Sequence, residues 1–404
     1  MVMASTGSPA VKRNKPQRSY YIDQLRVLAT LLVFLYHCSR PFNFVENWHV
    51  KNNQVSLGFD VPLLVFGLWM MPLFFVLSGV STYYSLRSRG AGSFLRSRFL
   101  RLAVPLIGLG WFVLSPPQVY IERYTASGYN TTPFSGTFLQ FIPEYFHFQY
   151  GAGGSFAFTG MHLWYLFYLF IFSCLALPLF VWLNSQAGRR LIGKLAEWAQ
   201  KPGLILLPGL PLGLFEVLQP TGYPWGVQEG GWYILTYLLL LIYCYVLAAD
   251  DRFQHAIDEH KGVALALAVL TNGLVVAPYL AEVVPEIPRP FAGWPPLVWP
   301  VLRTFSTWCW LVAVLGYGRK YLSIPHRLLP YAGQAVLPFY MLHQTVIVII
   351  AFFIRNWTMA IGLKYLLVVF STFTVVMALY EFVIRRHRTT RFLFGMPAAP
   401  AAQR

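Results

Sequence analysis

The sequence predicts an all-α integral membrane protein of about ten transmembrane helices, with both termini on the cytoplasmic side. Three observations predict it. Of 404 residues, 56% are hydrophobic and only 11% charged, against about 25% charged in an ordinary soluble chain. Apolar runs of spanning length recur at 22–39, 61–84, 102–121, 162–183, 203–218, 232–249, 263–284, 298–317, 331–354 and 363–384. The cations alternate between the connecting segments. When these runs are drawn as spans, 23 of the 31 Lys and Arg residues fall on the N-terminal side and six on the other. Short loops rich in Lys and Arg stay in the cytoplasm, so the split orients the chain N-in and C-in. The net charge of +16 therefore reads as topology and contact with anionic membrane lipids, not as nucleic-acid binding.

Residues 1–20 form a basic cytoplasmic tail carrying Lys12, Arg13, Lys15 and Arg18. No small-residue cleavage site follows the first apolar run, which reads as a retained span. The membrane domain runs over 21–385. The spans at 102–121, 203–218 and 298–317 contain prolines, which blur their boundaries. The outer segment 122–161 holds three charges and many aromatics, among them Phe141, Tyr150 and Phe156. Such rings suit either an interfacial belt or stacking on sugars. Residues 386–404 form a second cytoplasmic tail. Cys38, Cys174, Cys244 and Cys309 all lie in apolar runs, with neither metal-ligand spacing nor a disulfide framework, so no metal site is expected. No internal repeat is visible.

The first span carries the chemistry. Asp23, Arg26 and His37 stand in one helix. The eleven residues from Arg26 to His37 make about three turns and a rise of ~16 Å, so the two share a stripe. Ionisable groups inside a bilayer are costly and point to function. A neutral imidazole, with an ordinary pKa of about 6.5, suits His37 as a general base acting on a hydroxyl. Arg26 needs an anion. Asp23, three residues earlier, is one choice; a phosphate or carboxylate ligand is the other. His343 enters from the same side at a similar distance from the last cytoplasmic charge, which sets both histidines at similar depth.

Arg98 and Arg101 at i,i+3 either fork onto phosphates or merely satisfy the positive-inside pattern. His162 and Trp164 begin the fourth span on the outer side, where they either meet an acceptor sugar or anchor the interface. Glu381 and Arg385, one turn apart, read as a structural pair.

Taken in order, Asp23-x-x-Arg26-x10-His37, Phe74-Phe-Val-Leu-Ser78-Gly79, Arg98-x-x-Arg101-Leu-x-x-Pro105 and Tyr340-x-x-His343 resemble the acyltransferase-3 family of membrane acyltransferases. The resemblance runs from the first span to the ninth. Trp48-His-Val-Lys-Asn, Met161-His-Leu-Trp-Tyr-Leu, Tyr380-Glu381 and Arg391-Phe-Leu-Phe-Gly are similar to its glucan succinyltransferase branch. The family's sugar O-acetyltransferases often carry Trp-Ser-Leu-x-x-Glu, whereas Trp164-Tyr-Leu-Phe-Tyr-Leu169 here has no glutamate. The resemblance implies a bacterial inner-membrane enzyme with no permanently bound cofactor. It implies acetyl-CoA or succinyl-CoA as cytoplasmic co-substrate and an extracytoplasmic glycan hydroxyl as acceptor. It implies His37 as the catalytic histidine supported by Asp23 and Arg26, CoA held by Arg26, Arg98 and Arg101, and an acceptor side shaped by His343, Tyr340, Trp164 and His162. A transporter or lipid flippase is the competing class, because buried His and Arg also mark transport pathways. The paired broken repeats common in transporters are not seen.

Overall fold

The computed structural model describes residues 20–44, 47–128, 132–150, 152–218, 228–283 and 297–397. The basic N-terminal tail and the end of the C-terminal tail lie outside them. The chain is an all-α bundle whose only paired strands, among the described residues, form the short hairpin Gln228–Glu229 with Trp232–Tyr233. Helix is the expected answer to these apolar runs, because it satisfies each backbone N–H and C=O within its own segment, where lipid offers no partner.

All ten predicted positions carry helix. By length and composition six helices can cross a membrane, or eight if each of two bent pairs is one span. The protein is thus a multi-pass membrane protein. The bends have local causes. Met161–Leu175 and Leu177–Leu183 meet at 52°, with Pro178 near the start of the second helix, where its ring and missing N–H cannot continue the first. Gln186–Ala199 and Leu204–Leu218 meet at 116°, across Pro202 and Gly203, whose φ of +76° suits glycine.

Small residues bring the helices together, as expected where close packing replaces the hydrophobic drive. At Gly79 a Cβ would lie 2.4 Å from the Leu241 carbonyl and 3.1 Å from the Cys244 Cβ. Helix Met70–Ser88 therefore meets Ile234–Leu247 backbone to backbone. Gly79→Ala is expected to cost about 1–3 kcal/mol by overpacking, read as a lowered unfolding midpoint in detergent.

Two packings position the site. The first helix, Tyr20–Ser39, lies against Leu329–Ile354 and Met70–Ser88. The helix Ala91–Tyr124 is irregular: Phe99–Ala103 and Leu106–Leu114 adopt π-helical turns around Pro105. Such turns recur at functional sites because the extra residue re-aims neighbouring side chains. The C-terminal segment closes on this irregularity. Gly395, at φ +62°, lies so near the Arg101 carbonyl that a Cβ would sit 2.8 Å from it.

Candidate active site

The two deep histidines meet. His37 Nδ1 and His343 Nε2 are 3.0 Å apart, with ring planes 14° from parallel. The chain around His343 determines which nitrogen does what. His343 Nδ1 lies 2.7 Å from the Tyr340 carbonyl, which can only accept, so Nδ1 carries the proton. With both rings neutral, His343 Nε2 is then the acceptor and His37 Nδ1 the donor. The lone pair of His37 is left on Nε2. His343 is fully buried and wedged by Phe339, stacked at 6.2 Å, and by the edge of Phe34. His37 is half-buried. Trp48, from the outer segment, packs 6.4 Å from its ring. The arrangement is an imidazole oriented by a second imidazole, with its Nε2 left without a hydrogen-bond partner among the described residues.

At the N-terminal end of the first helix, Arg26 donates to Asp23 at 3.3 Å and to Ser81 at 2.7 Å. Arg98 donates to Thr82 at 2.7 Å and lies 5.1 Å over the Phe94 ring. Ser81 and Thr82 are consecutive, so one turn of helix Met70–Ser88 carries both guanidinium groups. Arg101 is exposed. Its charge opposes those of Arg26 and Arg89, and that of Arg98 opposes Arg26 and Arg101. Asp23 is the one carboxylate bonded to this group among the described residues. The mouth therefore keeps an excess of positive charge.

A polar track joins the two ends. Tyr165 lies within electrostatic reach of Arg98 and Arg26, bonds Ser78 at 2.6 Å, and meets the Tyr340 ring edge-on at 6.0 Å. Tyr340 lies one turn before His343. Ser78 belongs to a recognised motif, whereas Tyr165 was missed. Its position directly after Trp164, one residue from a site candidate, was the available signal.

His162 and Trp164 are placed differently from a direct sugar contact. His162 donates from Nε2 to the Met341 carbonyl at 3.0 Å, and its Nδ1 faces Gln118 at 3.5 Å. Its ring stands edge-on to His343 at 5.3 Å. Both nitrogens thus work inside the protein, holding the His343 helix. Trp164 is buried against Phe75 and Tyr237. Tyr340 donates to the His162 carbonyl and ties the same two segments together.

A buried polar chain beyond His162 was also missed. Glu122 accepts from Tyr150 at 2.8 Å and pairs with His49 at 2.5 Å. Gln344 donates to His49 at 3.1 Å and to Gln118 at 2.8 Å. It therefore fixes the outer segments to the residue following His343. Two lysines serve the same purpose. Lys51 and Lys364 donate to Asn43, to Asn52 and Asn53, and to the Arg40 and Arg355 carbonyls. Glu381 pairs with Arg385 at 2.7 Å, as expected. Burial raises the Tyr145 phenol to about 12, so it stays neutral in the outer aromatic cluster with Phe141 and Val119.

No group of three or more His, Cys, Asp or Glu residues suited to a metal ion occurs among the described residues, and the described cysteines are free. A family model described as an acyltransferase domain matches residues 19–381, nearly the whole chain. No curated protein and no solved structure matches. A match of that extent, over a bundle that brings His37 to His343, establishes that the chain belongs to the acyltransferase-3 family and is a multi-pass membrane acyltransferase.

Proposed function

We propose that the protein moves an acetyl or succinyl group from cytoplasmic acyl-CoA to a hydroxyl of an extracytoplasmic glycan, a glucan-like one being favoured. The single observation that carries the reading is the polar track from an anion-seeking arginine mouth to the His37–His343 pair. Its two ends are separated along the first helix by a rise of ~16 Å. CoA has the matching shape, with phosphates at one end and a thioester at the end of a long flexible arm. Arg26, Arg98 and Arg101 hold the phosphates, and the arm follows Ser78, Tyr165 and Tyr340 inward. The ten-span, N-in and C-in arrangement in a bacterial inner membrane accords with this polarity, since acyl-CoA is a cytoplasmic metabolite and the aromatic outer segments face the acceptor.

At the histidines the balance is simple. His37 Nε2 takes the proton as the acceptor oxygen attacks the thioester carbonyl. The C–S bond then breaks, and the CoA thiolate recovers that proton. The same nitrogen serves if the acyl group first rests on His37 as an acyl-imidazole. Asp23 shares Arg26 with the ligand. His343 fixes the tautomer, while His162 and Tyr340 hold His343 in place.

The test is acyl transfer by the purified protein in detergent, using labelled acetyl-CoA and succinyl-CoA with a glucan oligosaccharide. Labelled glucan from one donor, absent in His37→Ala, supports the reading. Absence of both labelled glucan and CoA release in detergent, with label accumulating when the same protein is reconstituted into vesicles, sinks it in favour of transport.

A further inference from the structure

The acceptor side of this site holds a carboxyl group that no part of the protein uses. The buried carboxylates Asp60, Glu122 and Glu216 are occupied. Asp60 accepts from Asn43 at 3.0 Å and from the Phe44 N–H at 2.7 Å. Glu122 is held by His49 and Tyr150. Glu216 is held by Arg303 at 2.8 Å and by Thr236. Glu229 differs: its carbonyl accepts from the Tyr237 hydroxyl at 2.8 Å, but among the described residues no donor reaches its carboxyl oxygens. Glu229 is half-buried, so its carboxyl is partly shielded from water while the described residues offer it no donor, which leaves it open to a ligand hydroxyl.

Glu229 is also held in place. It precedes the turn Gly230-Gly231, whose φ angles of +56° and +82° close the hairpin. Arg303 donates to the Gly231 carbonyl at 2.8 Å and lies 4.0 Å over the Trp232 ring, with its other side bonded to Glu216. The turn rests on the site. A Cβ at Gly230 would lie 3.1 Å from the Tyr237 hydroxyl and 3.2 Å from the Trp164 ring. The Glu229 charge reaches both Tyr237 and Tyr340, and Tyr340 is one turn from His343.

We infer that Glu229 binds the acceptor: the anchored hairpin delivers its carboxyl over Trp164, Tyr237 and Tyr340 to hydrogen-bond a carbohydrate hydroxyl on the outer side of the histidine pair. The inference rests on the acyl-transfer reading above. Burial raises this carboxyl to about 8, so at neutral pH it is mostly protonated. A neutral carboxyl both donates and accepts, which suits a sugar hydroxyl and not a cationic ligand.

The experiment compares full-length wild type, Glu229→Ala and Glu229→Gln in acyl transfer to a glucan oligosaccharide, with CoA release in the absence of glucan as a second readout. Glu229→Ala is expected to raise the acceptor KM about tenfold while leaving acyl-CoA KM and acceptor-free CoA release unchanged. Glu229→Gln keeps both hydrogen-bond functions and holds the acceptor KM within about threefold of wild type. In wild type the acceptor KM rises as pH passes about 8, because the bound acceptor strips water from an ionised carboxylate. In Glu229→Gln that rise disappears. An unchanged acceptor KM in Glu229→Ala, or a rise that persists in Glu229→Gln, overturns the inference and leaves acyl transfer standing. Wild type that moves no acyl group to glucan removes the acyl-transfer reading and this inference with it. Should Glu229→Ala fail to fold, the pH profile of Glu229→Gln decides alone.

Discussion

Replacing His37 with alanine is expected to lower kcat by about 10²–10⁴, the usual contribution of a positioned general base, with acyl-CoA affinity nearly unchanged. Arg26 sits ~16 Å away along the same helix, with Arg98 beside it on a neighbouring one, so truncating the imidazole removes chemistry and spares recognition. His343→Ala is expected to act in the same direction and less severely. It leaves a base at His37 but frees its ring to rotate and to exchange tautomers, since the 3.0 Å contact to His343 sets which nitrogen bears the proton. The double variant should then be little worse than His37→Ala alone, because residues that act as one unit are not additive. Single-turnover transfer at saturating acyl-CoA, paired with equilibrium CoA binding, measures all three. A His37→Ala enzyme that turns over within tenfold of wild type would remove the histidine from the chemistry.

That pair was legible because both histidines lie on regular helices. Depth along a helix can be counted from the last cytoplasmic charge, so similar counts for His37 and His343 implied similar depth, and their helices pack side by side. The Asp23–Arg26 and Glu381–Arg385 pairs were legible for the same reason, being one turn apart. What a period does not encode was not legible. His49 and Glu122 are 73 residues apart and meet through segments with no repeating pattern. Glu229 stands in a two-residue strand whose placement depends on Arg303, 72 residues beyond the Gly231 carbonyl it grips. The π turns at Phe99–Ala103 and Leu106–Leu114 were hidden because a run that is apolar on every side shows no preferred period.

The contacts of His162 and Trp164 were not legible for a related reason. An outer-side His-x-Trp pair matches a sugar platform in composition, but composition does not tell whether the rings are already occupied. Here they are, by Met341 and Gln118 for His162 and by Phe75 and Tyr237 for Trp164. The open valence on that side passes to Glu229.

The arginine mouth should separate cleanly from the histidine pair. Arg98→Ala and Arg101→Ala are each expected to weaken CoA binding by roughly ten- to a hundredfold, since a hydrogen bond to a charged group is worth about 1.5–3 kcal/mol. Saturating acyl-CoA should restore most of kcat. Positive-inside topology alone predicts otherwise: a lysine or arginine that only orients the chain can be removed, one at a time, without touching ligand affinity. The geometry argues against that reading. Lys51 and Lys364 are tied to carbonyls and amides. At the mouth, Arg26 and Arg98 are steadied by hydroxyls and repel one another across a single turn, a cost that an incoming diphosphate removes. Asp23→Asn sharpens the test. If Asp23 only steadies Arg26, CoA affinity stays within about threefold or improves, because the variant lifts a competing negative charge; Arg26→Ala instead weakens it. Arg98→Lys should recover only part of the loss, since an ammonium cannot fork onto two phosphate oxygens. Isothermal titration with CoA at low and high salt reads each variant. Affinity falling with salt in wild type and losing that dependence in the double Arg98→Ala/Arg101→Ala variant would identify these two charges as the ones that meet the phosphates.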